Sequence, residues 1–238
     1  SAFKISIFIA ILIFSGIVMK EYSSQIGLFK TFDVHIRGNQ FVTTSLIQKK
    51  IIPYINQSFL TLNLNDVQKN ISSIDFIKTA QISQVLPNIL IIQIIENHPI
   101  ALITFENTNY LMDENDILLP ADGTSISFFP VPIVTISNEI NNIIEITGVV
   151  SGVFKYLLND YDRFYDNLSE IIIAKEKWTF YSDNKTQIFT KSNNLFNQLN
   201  VLKNFEKTVY PNRLLKDYSY IDLRIGDQIV VKEKYRKG

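Results

Sequence analysis

The chain contains no cysteine. That one absence excludes disulfides, thiolate nucleophiles and cysteine-ligated metals, and it suits an oxidising or a reducing compartment equally. An excess of charge of either sign is missing too: 23 basic side chains stand against 23 acidic ones, so no net field draws the chain to nucleic acid or an anionic surface. Histidine is scarce, with His35 on the polar side of a strand pattern and His98 at a corner, where ordinary surface histidines are preferred over a metal or catalytic pair. Neither the glycine-rich dinucleotide fingerprint, the P-loop, the nucleophile elbow nor a paired-histidine zinc motif occurs. No cofactor and no metal is expected, and the chain reads as a non-enzyme.

What is abundant is apolar. Hydrophobic residues make up 46% and charged residues 19%, the composition of a folded chain. From Ala2 to Met19 an apolar run is interrupted by Lys4, Ser6 and Ser15, about the ~18 residues at which a membrane span becomes the default. A cleaved signal peptide is the rival, with Lys4 as its charged start and Ile5 to Phe14 as its apolar middle. No A-x-A-like site follows Met19, which favours an uncleaved anchor. Lys4 set against the cancelling pair Lys20 and Glu21 favours a cytoplasmic amino side.

Beyond a mixed linker at 23–31, Phe32, Val34 and Ile36 alternate with Asp33, His35 and Arg37, the pattern of a half-buried strand. Gly38-Asn39 ends it, and Thr43 is placed to cap a helix carrying Ile47 and Ile51. Pro53 is expected to hold Ile52 extended and keep that helix short. Asn65-Asp66-Val67-Gln68 suggests a capping box for a second helix bearing Val67, Ile71 and Ile74. Strands at 77–86 and 88–96 follow, joined at Leu86-Pro87-Asn88. In the second of these, Leu90, Ile92 and Ile94 fall on one face and Ile89, Ile91 and Ile95 on the other, so both faces are expected to be covered.

From Pro99 strands dominate, at 100–106, 109–113, 133–137, 169–175, 177–182, 186–190, 219–225 and 228–233. Helical patterns occur at 142–160 and along Leu195, Leu199, Leu202 and Phe205. The fold class is therefore α+β. Asp113, Glu114 and Asp116 lack calcium-loop spacing and suit a hairpin tip. Gly148 and Gly152 sit among Glu145, Lys155 and Asp160, which argues against a second span. The basic end, Lys232 to Lys237, suits a solvated tail.

The order of these elements, with Gly38-Asn39 before a helix opening at Thr43, Pro87-x-x-Leu90-x-Ile92, Glu96-x-x-Pro99-Ile100-Ala101, Tyr110-Leu111-x-Asp113, Trp178 and Tyr220-Ile221-Asp222-Leu223-Arg224, resembles the FtsQ/DivIB family of bacterial cell-division proteins. Asn97 replaces a frequent Arg, Asn115-Asp116 a common Gly, and Ile225 a frequent aromatic.

The resemblance implies a membrane anchor and flank over 1–22, the linker 23–31, a POTRA-type β-α-α-β-β domain over 32–98, and a larger mixed β domain with flanking helices over 99–238. It further implies a noncatalytic, single-pass divisome scaffold of the bacterial inner membrane. Its extracytoplasmic domains would lie at the septum, where it helps control septal peptidoglycan synthesis. The POTRA domain is expected to meet other divisome proteins. The final strand, with nothing after it to pair with, is expected to receive a strand of FtsB, itself in a coiled coil with FtsL. By position, the partner-binding residues are Lys175, Tyr220, Asp222, Leu223, Arg224, Ile225, Ile229, Val230 and Val231. Lys175 matches a basic position that pairs with an acidic residue of the partner. A POTRA-bearing component of an outer-membrane assembly or transport machine is the alternative, although neither repeated POTRA units nor a closing barrel is visible. An anchored envelope hydrolase would need a nucleophile or metal set, and none is visible.

Overall fold

A computed structural model of the chain describes residues 2–25, 32–140, 142–226 and 228–234. Most of the expected linker and the last residues of the basic end lie outside these. Backbone contacts divide the chain into two units, Ser1–Asn97 and His98–Gly238.

The first unit begins with α1 (Ala2–Gln25), followed by β1 (Asp33–Arg37), α2 (Thr44–Ile55), α3 (Leu64–Ser72), β2 (Ile77–Val85) and β3 (Ile89–Glu96). The sheet has the order β1-β3-β2, with β1 parallel and β2 antiparallel to β3. Alternation in β1 works as expected: Val34 and Ile36 are half-buried and Asp33, His35 and Arg37 exposed. Ile47 and Ile51 of α2, Val67 and Ile71 of α3, and Leu90, Ile92 and Ile94 of β3 are at most 1% exposed and form the core. Each such side chain contributes about 1.5–3 kcal/mol through burial.

Three expectations are corrected in this unit. Pro53 does not stop α2, which runs on to Ile55; the proline sits in the last turn, where it forgoes one bond back to the i−4 carbonyl and no further turn has to be built on it. The cap of α3 is Asn63, whose side chain accepts from the Asn65 N–H at 3.1 Å, so the helix opens before the suggested capping box. The second face of β3 is covered only in part: Ile89 and Ile91 are half-buried and Ile95 is 53% exposed. The fully buried side chains of the strand are on the Leu90 face.

The side chains of α1 from Ile5 to Met19 are exposed all round. Among the described residues, no helix is long and apolar enough to cross a membrane.

The second unit comprises β4 (Pro99–Phe105), β5 (Thr108–Asp113), β6 (Leu118–Pro120), α4 (Gly123–Phe128), β7 (Ile133–Ile136), α5 (Ile143–Asp160), α6 (Asp162–Tyr165), β8 (Leu168–Ile173), β9 (Lys177–Ser182), β10 (Gln187–Lys191), α7 (Leu195–Val209), β11 (Tyr218–Asp222) and β12 (Val230–Glu233). Its nine strands form one sheet in the order β12-β11-β10-β9-β8-β7-β4-β5-β6. The buried stripes of α5 (Val150, Val153, Phe154, Leu157) and α7 (Leu195, Leu199, Leu202) share a core with Ile103, Ile171, Trp178, Phe180, Ile188 and Ile221. By strand register the other face carries Thr135, Tyr181, Phe189 and Tyr220, all half-buried.

Where β5 turns into β6, the buried Asp113 accepts from the N–H groups of Asn115 (2.8 Å) and Ile117 (2.9 Å). Asp116 takes φ +68° there, a conformation short polar residues tolerate and glycine adopts freely. Asn115-Asp116 therefore makes this turn without a glycine.

Candidate partner-binding site

The sheet reaches one of its margins through β11 and β12. These strands pair antiparallel, with Tyr220 opposite Lys232, Ile221 opposite Val231 and Asp222 opposite Val230, and with a bulge between Tyr218 and Tyr220. Among the described residues no strand pairs with the outer side of β12. A strand paired on one side leaves alternate N–H and C=O groups pointing outward. The far end of the ribbon is pinned: Arg213 meets Glu233 at 3.2 Å, and the Lys234 ammonium donates to the carbonyls of Asn184 (2.6 Å) and Lys216 (2.9 Å).

The expected site residues divide into distinct groups. Val230 is half-buried and Val231 is 38% exposed, both on β12. Ile229 lies just before that strand and packs against the core from a partly buried position. Tyr220 faces outward beside Phe189, with ring centroids 6.2 Å apart. Leu223 is 3% exposed, so its side chain belongs to the core and offers no contact surface. Parity already carried that signal, because Ile221 and Leu223 share a face on any continuing strand. Ile225 is 49% exposed but lies beyond β11, which ends at Asp222 rather than at 225.

What ends the strand is a side-chain clamp. The Asp222 carboxylate accepts from the Arg224 backbone N–H at 3.0 Å and from its Nε and Nη2 at 2.9 and 2.6 Å. These hydrogen bonds hold the Asp222 carboxyl below the usual carboxylate value, and the same bonds raise Arg224. The guanidinium also lies 5.0 Å from the centre of the Phe189 ring. Asp222 and Arg224 are therefore each other's first partners.

Lys175 sits in the turn between β8 and β9, and Arg224 at the end of β11, yet both line one groove of about 940 Å³ with Glu139, Glu176, Lys177, Lys191 and neighbouring backbone. The register of β9 and β10 sets Lys177 directly opposite Lys191. Like charges facing across a sheet are destabilising. Among the described residues none of these three lysines has an ion-pair partner within 4 Å, so the groove is basic and suited to carboxylates. Neither Lys177 nor Lys191 was singled out from sequence, because a cross-strand pair shows only once the register is known.

Sequence reasoning also missed the role of Glu96. Its carboxylate accepts from three successive backbone N–H groups, those of Gln40 (3.0 Å), Phe41 (2.9 Å) and Val42 (2.8 Å). The loop it gathers starts at Gly38, whose φ is +85° and where a Cβ would lie 2.2 Å from the Ile94 carbonyl oxygen. Only glycine fits that approach. Among the described residues no group of three or more His, Asp and Glu side chains could hold a metal.

A β-α-α-β-β unit followed by a larger mixed sheet makes this a POTRA-bearing α+β protein, and residues 29–97 match the family described as POTRA domain, FtsQ-type. Within that class the chain resembles FtsQ/DivIB, the family its sequence motifs suggest. It is 31% identical over 94 residues to the cell division protein FtsQ of Rickettsia bellii (strain RML369-C), covering 40% of this chain and 35% of that protein. To FtsQ of Rickettsia typhi (strain ATCC VR-144 / Wilmington) it is 28% identical over 102 residues, 43% of this chain and 38% of that one. The aligned stretch thus spans little more than a third of these relatives. Among solved structures, the major extracytoplasmic domain of the cell division protein DivIB from Geobacillus stearothermophilus matches with a TM-score of 0.33 and 16% identity, over 50% of this chain and 91% of that one.

Proposed function

We propose that this chain is a noncatalytic scaffold of the bacterial divisome. In this reading residues 2–19 anchor it once in the inner membrane with a cytoplasmic amino side, and both units lie outside the cytoplasm at the septum. The second unit holds an FtsB/FtsL-like coiled-coil pair, and through that pair the chain helps control septal peptidoglycan synthesis. The POTRA unit serves other division proteins.

The observation that carries the reading is the outer margin of β12, unpaired among the described residues, at the edge of a nine-stranded sheet. Strand addition there would supply main-chain hydrogen bonds, and alternate side chains such as Val231 would give specificity. The basic groove supports the same partner. An acidic residue near the partner's strand would meet Lys175 and relieve the repulsion between Lys177 and Lys191. Each exposed pair contributes about 0.2–1 kcal/mol, so the ribbon supplies most of the affinity and the groove most of the selectivity.

The test is capture of an FtsB/FtsL-like pair from envelope extract by the full chain and by Val230→Pro. Loss of one or two main-chain bonds, about 1–3 kcal/mol, is expected to weaken capture roughly five- to a hundredfold. Undiminished capture by a Val230→Pro variant that melts like the parent would refute strand addition.

A further inference from the structure

The two ends of the POTRA unit differ in chemistry. At one end lies the Glu96 clamp. At the other, β1 begins, the Asp33 N–H donates to the Asn88 carbonyl at 2.9 Å, and the Phe32 ring lies 5.6 Å from that of Phe59. The β2–β3 hairpin tip, with Asp33 opposite Ile89, and the turn at Phe59–Thr61 therefore meet where the chain enters from α1. The Gln84 side-chain amide donates to the Phe59 carbonyl and ties the two together.

This end is largely apolar, with charge entering it through the exposed Asp33 at the start of β1. Leu86 is 67% exposed, Leu60 57% and Val85 44%, and Ile52 and Ile55 at the close of α2 are 59% and 40% exposed. Residues 51–65 and 79–95 contain no Asp, Glu, Lys, Arg or His. Exposed aliphatics are ordinary when scattered among charges; gathered with little charge and no cover, they mark an interaction surface.

Chain length indicates what covers it. From the end of the 2–19 span, α1 rises about 9 Å to Gln25, and residues 26–31 before Phe32 add at most about 25 Å even if fully extended. We propose that the hairpin tip at Val85-Leu86 and the turn at Leu60 rest in the headgroup interface of the bilayer that holds α1. This rests on the anchor reading of residues 2–19. The occupant is lipid: short side chains without charge dip into the interface, while uncharged polar neighbours such as Asn56, Gln57, Ser58 and Asn88 meet the headgroups.

The absence of cysteine allows single spin labels to be placed without background. The full chain would be reconstituted into phosphatidylethanolamine/phosphatidylglycerol nanodiscs, with a label in turn at Leu86→Cys, Leu60→Cys, Ile95→Cys and Ile11→Cys. Ile95 is similarly exposed but lies along β3, roughly 20 Å from the tip at ~3.3 Å per residue. Oxygen partitions into lipid and a nickel chelate stays in water. The oxygen-to-nickel accessibility ratio is therefore expected to be severalfold higher at residues 86 and 60 than at 95. An apolar signal at residue 11 with 86 as aqueous as 95 overturns the tip contact and leaves the anchor standing. An aqueous signal at residue 11 overturns both. Exclusion of both reagents at residue 86 means protein covers it, and the assignment to lipid fails.

Discussion

Replacing Glu96 by alanine removes the acceptor for three backbone N–H groups at once. The Val42 N–H is buried, so losing its partner costs the desolvation of an unsatisfied donor, about 1–3 kcal/mol. Those of Gln40 and Phe41 are only partly buried and recover part of their bonding from water. A further ~1–2 kcal/mol for these two brings the expected loss to about 2–5 kcal/mol. For a unit of this size each kcal/mol lowers the midpoint by about 4–8 °C, so the POTRA transition is expected to fall by roughly 8–40 °C. Glu96→Gln keeps one carbonyl oxygen where Oε1 serves both Gln40 and Val42, and sets an NH2 against the Phe41 N–H. Its loss is therefore expected to be less than half that of the alanine variant. Amide hydrogen exchange at residues 40–42, followed together with thermal unfolding, separates these outcomes, and the second unit's transition serves as an internal reference. A Glu96→Ala chain that retains Val42 protection, or loses less than about 1 kcal/mol, would show that the three bonds form without holding the loop.

Gly38→Ala places a methyl against the Ile94 carbonyl at a positive φ and is expected to cost at least about 2 kcal/mol of POTRA stability in a melt; a neutral substitution would mean the loop yields. Lys191→Glu converts a like-charged cross-strand pair into an opposite one and is expected to stabilise the second unit by about 0.2–1 kcal/mol. The same variant should weaken capture of the acidic partner, and a gain in both would refute the groove's part in binding. The Asp222 carboxyl is held below its ordinary 3.8 chiefly by the Arg224 side-chain hydrogen bond. The folded chain therefore binds fewer protons there than the unfolded one below that value, and the clamp's contribution is lost as pH falls through the lowered folded value. The pH-dependent change in the Arg224 side-chain NMR signals should have its midpoint below 3.8, and a midpoint at or above it would contradict the clamp.

Periodicity reveals an element when it lasts long enough to repeat. The alternation of 32–37 and the stripes Ile47/Ile51, Val67/Ile71 and Leu195/Leu199/Leu202 all lie where the structure buries them. Elements of three to six residues, β6, α4 and α6, end before either period repeats, and they were not foreseen. The groove was illegible for another reason. Lys175 and Arg224 come together only because β10 pairs antiparallel with β9 and parallel with β11, and no local spacing encodes a parallel pairing across the whole of α7. Asp222 and Arg224 enter the expected partner site through their position in the family resemblance, which says nothing of what else they bind. The structure has them bonded to each other first.

Gly38-Asn39 and Glu96-x-x-Pro99 look like separate motifs, yet they meet in one device. The glycine brings the loop under the Ile94 carbonyl, the Asn39 side chain donates to the Val42 carbonyl at 2.9 Å, and Glu96 gathers the three N–H groups the bend leaves free. This device stabilises one end of the POTRA unit, while the largely apolar surface lies at the other, a strand's length away. Stability and membrane proximity are therefore separable by substitution. Glu96→Ala should lower the melting midpoint without shifting the accessibility ratio at residue 86 in the folded population. Leu86→Asp should bring a neighbouring label at residue 60 out into water while leaving protection at Val42 intact. If each variant moved both readouts, the two ends would be one cooperative feature, and exposed aliphatics at the tip would have to be explained by folding rather than by lipid.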